Sequence, residues 1–159
     1  MSQCVRFSWF AMLVSFALVS CSIPRGVVRK TTGLASGKLS LDVTISSAAN
    51  GNSPVAVDVL FIKDKTLLKT IQGMTAGDWF SKKAQMKPRM PKAFDLKEWE
   101  WAPGQPIKDL PPVTVGSDVK GVVMFAKYAT PGPHMALIPS RGRVCVSLNE
   151  RDFSIDCGV

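Results

Sequence analysis

The chain has 159 residues, a net charge of +8, one histidine and four cysteines. That length suggests a single domain. The charge is scattered through lysines such as Lys63, Lys82, Lys92 and Lys97, with no dense run and no nucleic-acid motif, so it describes a basic solvated surface and excludes nucleic acid as the expected partner.

The first residues read as a processing signal. Arg6 is the only charge before position 25, and an apolar stretch from Phe7 to Val19 ends in Ser20-Cys21. A positive start, a short apolar run and a small residue at the cut mark a secretory signal. A membrane span needs roughly 20 apolar residues, and this run is shorter and broken by serines. Leu18-Val19-Ser20-Cys21 has the form of a lipobox, with an aliphatic at Leu18, a small residue at Ser20 and a cysteine whose thiol takes diacylglycerol. Residues 1–20 are therefore expected to be a lipoprotein signal peptide, and Cys21 the lipidation site. One acyl chain binds a membrane marginally, whereas several hold it stably. Ser22 is not an acidic residue of the kind that retains lipoproteins in an inner membrane, which favours the outer membrane and its periplasmic face. Cleavage would leave 139 residues, enough for a self-sufficient core.

Residues 21–37 are the lipidated cysteine and a flexible tether, rich in Ser, Gly, Thr and basic residues and without apolar period. A flexible stretch of this length has a root-mean-square span of about 20–24 Å. The domain is expected over 38–159. Leu39, Leu41, Val43 and Ile45 alternate with polar residues as in a half-buried strand. Asn50-Gly51-Asn52-Ser53-Pro54 is a turn. Val55 to Ile62 reads as a central strand, and Leu67 to Ile71 as another short strand after a turn at Lys63–Lys65. Thr75 opens one helix as its cap, with Asp78 three residues on, and this helix is expected to stop before Pro88. Trp99 and Trp101 alternate with Glu98 and Glu100 in a further strand. Asp109 to Val115 is a proline-containing edge or loop, and Val119 to Tyr128 a second core strand. Arg143–Leu148 and Phe153–Cys157 form a closing hairpin that turns at Asn149–Asp152. Seven or so strands with one small helical insertion predict a mainly β chain, a two-sheet β-sandwich.

Cysteine use agrees with export. Cys4 leaves with the signal and Cys21 carries lipid, so Cys145 and Cys157 remain, facing each other across the hairpin. In an oxidising compartment such a pair forms a disulfide, contributing about 3 kcal/mol in the loop-entropy account. A metal would lack ligands, because the only histidine is His134. No catalytic constellation assembles either. His134 has no nucleophile beside it, and Glu98 and Glu100 are explained more simply by strand alternation than as an acid pair. Neither an enzyme nor a cofactor other than covalent lipid is expected. Binding, with a protein as partner, is the expected role.

Several segments then resemble, in order, the outer-membrane lipoproteins of type VI secretion systems, the TssJ family. They are the lipobox and tether, the turn Asn50-Gly51-Asn52-Ser53-Pro54 leading into Val55-Ala56-Val57-Asp58-Val59-Leu60-Phe61, and the helical insertion at Gly77-Asp78-Trp79-Phe80. Trp101-Ala102-Pro103-Gly104-Gln105 and Gly121-Val122-Val123-Met124-Phe125-Ala126-Lys127-Tyr128 follow. The resemblance implies a transthyretin-like sandwich with a short helical insertion. It further implies a structural anchor that binds the periplasmic domain of the inner-membrane protein TssM, with no small-molecule substrate. The loop after the first strand is the family's main contact, here Ala48, Ala49, Asn50, Gly51, Asn52 and Ser53.

Two other readings stand beside this one. A lipoprotein that inhibits or chaperones a cell-wall enzyme would use basic loops such as Arg141-Gly142-Arg143, and a glycan binder would use an open groove at Trp99 and Trp101.

Overall fold

A computed structural model describes residues 37–157, so the expected signal peptide, Cys21 and all but the last residue of the tether lie outside the described residues. Two four-stranded sheets share one core. The first has the order β4-β1-β7-β8, from Val113–Val115, Gly37–Ile45, Gly142–Leu148 and Phe153–Cys157. The second has the order β3-β2-β5-β6, from Phe94–Trp101, Val55–Ile62, Gly121–Lys127 and Met135–Ile138. β1 lies parallel to β7 with Leu41 opposite Val144 and Val43 opposite Val146, which joins the first strand of the domain to its closing hairpin.

Periodicity explains why the two faces of the second sheet differ. Along β2, Val55, Val57, Val59 and Phe61 enter the core between the sheets, together with Leu39, Leu41 and Val43 of β1 and Val144, Val146 and Leu148 of β7. Leu60 and Ile62 point the other way, into a second cluster with Val123 and Phe125 of β5. A strand covered on both faces reads as a continuous apolar run, which is why Val55–Ile62 lacks the alternation of β1.

The second cluster is closed by two helices. α1 (Lys65–Gln72) occupies the segment expected to hold a strand at Leu67–Ile71. Asp64 caps it, its Oδ1 accepting from the Leu67 amide at 2.6 Å, and Leu67 and Ile71 fall four residues apart on the buried face. A short apolar run satisfies either period, and here the cap decides. α2 (Ala76–Arg89) begins with the expected box, Thr75 accepting from the Asp78 amide and the Asp78 carboxylate from the Thr75 amide. It does not stop before Pro88 but runs through it to Arg89. The ring there falls in the final exposed turn, Met90 still donates to the Met86 carbonyl at 3.0 Å, and Lys87 and Arg89 suit the negative helix end.

α2 is fastened to the sheet through a buried charge. Asp58, 1 % exposed, lies on the helix-facing side of β2. Its Oδ2 accepts from the Trp79 indole at 2.7 Å and from Lys83 Nζ at 2.8 Å. Lys83 also reaches Glu98 at 2.9 Å, and Lys87 holds the other oxygen of Glu98 at 2.8 Å. Trp79 stacks on Phe125 at 5.6 Å and meets Phe94 edge-on at 5.9 Å. Burial alone would lower the pKa of Lys83, but hydrogen bonds to Asp58 and Glu98 outweigh it and hold the ammonium above its ordinary range. Hydrogen bonds from Lys87 and Lys83 hold Glu98 below its ordinary value of 4.5.

Removing one partner of a buried pair strands the other. Lys83→Met is expected to cost about 3 kcal/mol in urea unfolding, and the double change Asp58→Asn with Lys83→Met to recover much of that loss. Because the folded state depresses Glu98, its contribution is present above pH 4.5 and lost as pH falls below it. A Glu98→Gln chain is therefore expected to be less stable at neutral pH and to show a shallower acid-side decline in its thermal midpoint.

Candidate interaction surface

Strand direction sorts the loops into two ends. β1 finishes, β2 begins, β3 finishes and the β7–β8 hairpin turns at the end opposite to the one where Gly37 joins the fold. Four connections meet there: 46–54, 102–105, 128–134 and 149–152.

The first of them carries the predicted contact. After β1 the chain makes a single 3-10 turn at Ala49–Gly51. Three successive residues then take positive φ, Asn50 at 49°, Gly51 at 60° and Asn52 at 62°. Asn and Gly tolerate this left-handed region where branched residues do not. Ala48, Gly51, Asn52 and Ser53 are exposed, whereas Ala49 is fully buried and Asn50 half-buried.

Asn50 is the knot of the loop end. Its Oδ1 accepts from the Ala129 amide at 2.7 Å, its Nδ2 donates to the Pro54 carbonyl at 3.0 Å, and its own amide donates to the Asn149 carbonyl at 3.4 Å. The Gly104 amide donates to the Ser46 carbonyl at 3.3 Å, and the Thr130 hydroxyl to the Arg151 carbonyl at 2.5 Å. Of the six predicted residues, four are exposed and two hold the loop in shape.

His134 is a second tie rather than a base. It is 5 % exposed and sits at φ 42°. Nδ1 lies 2.8 Å from an Asp152 carboxylate oxygen and Nε2 2.8 Å from the Thr130 carbonyl, so neither nitrogen is available to a substrate. Its ring packs on Tyr128 at 5.1 Å. Burial raises the pKa of the Tyr128 hydroxyl, and the nearby Asp152 carboxylate adds to that. The short strand β6 that follows His134 was not among the expected elements, because Met135–Ile138 is four residues between prolines.

Other singled-out residues fall elsewhere. Cys145 is disulfide-bonded, and Cys157 stands opposite it in the β7–β8 register. Arg141 and Arg143 lie at the far end, Arg143 paired with Asp42 at 2.9 Å, and among the described residues the turn that carries Arg141 is short. Trp99 and Trp101 stack at 5.8 Å, but Trp101 is buried in the core. Only Trp99 borders a concavity, an open one of about 400 Å³ with Pro111 and Pro112.

No protein-family model matches the chain, and no curated protein matches it significantly in sequence. Solved structures share its fold. Serratia marcescens Lip, a membrane-bound component of the type VI secretion system, superposes with a TM-score of 0.58 at 14 % identity, over 79 % of this chain and 100 % of that one. The type VI secretion lipoprotein TssJ1 from Pseudomonas aeruginosa gives 0.57 at 12 % identity, over 77 % and 96 %. A chain in the structure of the type VI secretion protein TssM C-terminal domain from EAEC gives 0.52 at 12 % identity, over 77 % and 98 %. The resemblance read from sequence thus extends to the fold: a mainly β sandwich with a helical insertion, like the TssJ lipoproteins.

If Asn50 knots the loops, its loss should be felt beyond its own loop. Asn50→Ala leaves the Ala129 amide without its acceptor and puts a Cβ-bearing residue without a polar side chain at positive φ, an expected loss of about 2 kcal/mol. Faster hydrogen exchange at Ala129 would report it. Ser53→Ala, at an exposed side chain, is expected to change stability by less than about 0.5 kcal/mol.

Proposed function

We propose that this chain is a lipoprotein, acylated at Cys21 and anchored in the outer membrane with its domain in the periplasm. It serves there as a structural anchor of a type VI secretion membrane complex. Its loop end binds the periplasmic domain of an inner-membrane component of the TssM type, and it carries out no catalysis. The observation that carries this reading is the fold likeness, which spans the entire length of Lip and nearly all of TssJ1. The lipobox before Cys21 supports the anchor, and the exposed crown of Ala48, Gly51, Asn52 and Ser53 supplies a surface on a rigid scaffold. Among the described residues no helix is long and apolar enough to cross a membrane.

The test is a pull-down from detergent-solubilised envelope with the chain from Ser22 onward as bait, beside a variant carrying Ala48→Arg and Ser53→Arg. These two positions are exposed and leave Asn50 intact. Wild type is expected to retain a large inner-membrane secretion protein, and the variant to lose at least about tenfold of it, as when bulk enters the centre of an interface. Capture of a cell-wall enzyme, or of glycan alone, would sink the reading.

A further inference from the structure

The two ends of the sandwich differ in charge. At the end where Gly37 joins the fold, the turns carry Lys38, Lys63, Lys65, Lys92, Lys120 and Arg141 against Asp64, Asp95 and Asp118. Backbone contacts gather these turns together. The Lys63 amide donates to the Ala93 carbonyl at 2.8 Å and the Lys120 amide to the Ile62 carbonyl at 2.7 Å, while Lys38 pairs with Thr114 in the β1–β4 register. The acids are already engaged, Asp95 and Asp118 by Lys63 and Asp64 by the α1 cap. Lys38, Lys65, Lys92 and Lys120 are exposed and make no ion pair among the described residues. The loop end is close to balance, with Lys127 and Arg151 against Glu100, Glu150 and Asp152.

We infer that the basic end is a docking surface for an anionic lipid bilayer, with Lys38, Lys65, Lys92 and Lys120 as its headgroup contacts. Two features select a lipid surface. The cations sit on short turns, a strand end and the first residue of α1 rather than in a cleft, which suits a flat, laterally mobile array of charges. They also lie at the end of the sandwich at which the chain from Cys21 reaches the domain, 16 residues further on. A cation held close to an anionic bilayer strengthens partitioning about fivefold, an effect screened within a Debye length. Acyl anchor and basic surface are then two signals that act together. The anchor supplies residence, and the surface fixes which end of the domain faces the membrane. This inference goes beyond the proposed function and needs no secretion partner to be tested.

Both apolar clusters of the described residues lie within 37–157, so the chain from Ser22 onward retains both. Its binding would be measured by flotation with vesicles of phosphatidylcholine containing about one-third phosphatidylglycerol, and with pure phosphatidylcholine. Three chains are compared: wild type, Lys65→Gln with Lys92→Gln, and Lys127→Gln with Arg151→Gln. The two variants have the same net charge and the same basic tether, so they differ only in which end is neutralised. Circular dichroism and thermal melting confirm that each is folded. The expected result is binding to the anionic vesicles alone, weakened about tenfold or more in the first variant, nearly unchanged in the second, and lost at high salt. Equal weakening in both variants would show a net-charge effect and overturn the inference. Binding that neither variant alters would assign it to the tether, and binding to no vesicle would also overturn it.

Discussion

Asp58 lies at the centre of β2 on the face away from the main core, where an uncompensated carboxylate would cost several kcal/mol. Directly across on β3 stands Glu98, so the strand pair sets two like charges side by side. Lys83 bridges them, and Trp79, one helical turn earlier on the same face of α2, donates to the same oxygen of Asp58. The sheet therefore requires the helix and fixes its rotation. An apolar stripe alone would tolerate sliding; one indole and one ammonium directed at a single buried oxygen do not.

That constraint reaches the loop end. The first amide of α2, at Ala76, donates to the Pro133 carbonyl at 2.8 Å, so the docked helix holds the 128–134 connection. The connection is held again from within by His134, which spans Thr130 and Asp152. Its Ala129 amide in turn meets Asn50. A chain of polar contacts thus runs from Asp58 through α2 to the exposed crown of the first loop. Positive-φ residues persist where surroundings over-determine them. Asn50, Asn52 and His134 all do so here, within one cluster of connections.

Much of this was legible before the fold was known. Alternation gave β1, the run of β-branched residues gave β2, the Thr75–Asp78 box gave the start of α2, and the hairpin from Arg143 to Cys157 lies where expected. The failures have physical causes. Leu67–Ile71 satisfies a strand and a helix alike, and the deciding hydrogen bond comes from Asp64, which reads as a turn residue. β6 is too short to carry a period of its own and exists because β5 offers it an edge. Asp58 is the one charged residue in the central strand Val55–Ile62. Its partners lie 21 and 25 residues away on an element whose register against the sheet no local pattern encodes. In the first loop the Asn-Gly-Asn composition revealed a turn, but the division between exposed crown and buried knot depends on contacts with Ala129 and Asn149, far along the chain.

The two ends of the sandwich also constrain each other. The eight residues of β2 separate them by about 26 Å at the usual rise per residue. A domain seated by its basic end would hold the Ala48–Ser53 crown at least that far from the headgroups, facing away from the bilayer. Without such seating nothing on this surface would select which end faces the bilayer. Seating by the basic end would remove that freedom before a partner arrives, so less ordering would remain to be done on binding. The uneven charge of a small sandwich and the polar knot of its loops would then serve the same end: one would restrict where the crown points, and the other fixes its shape.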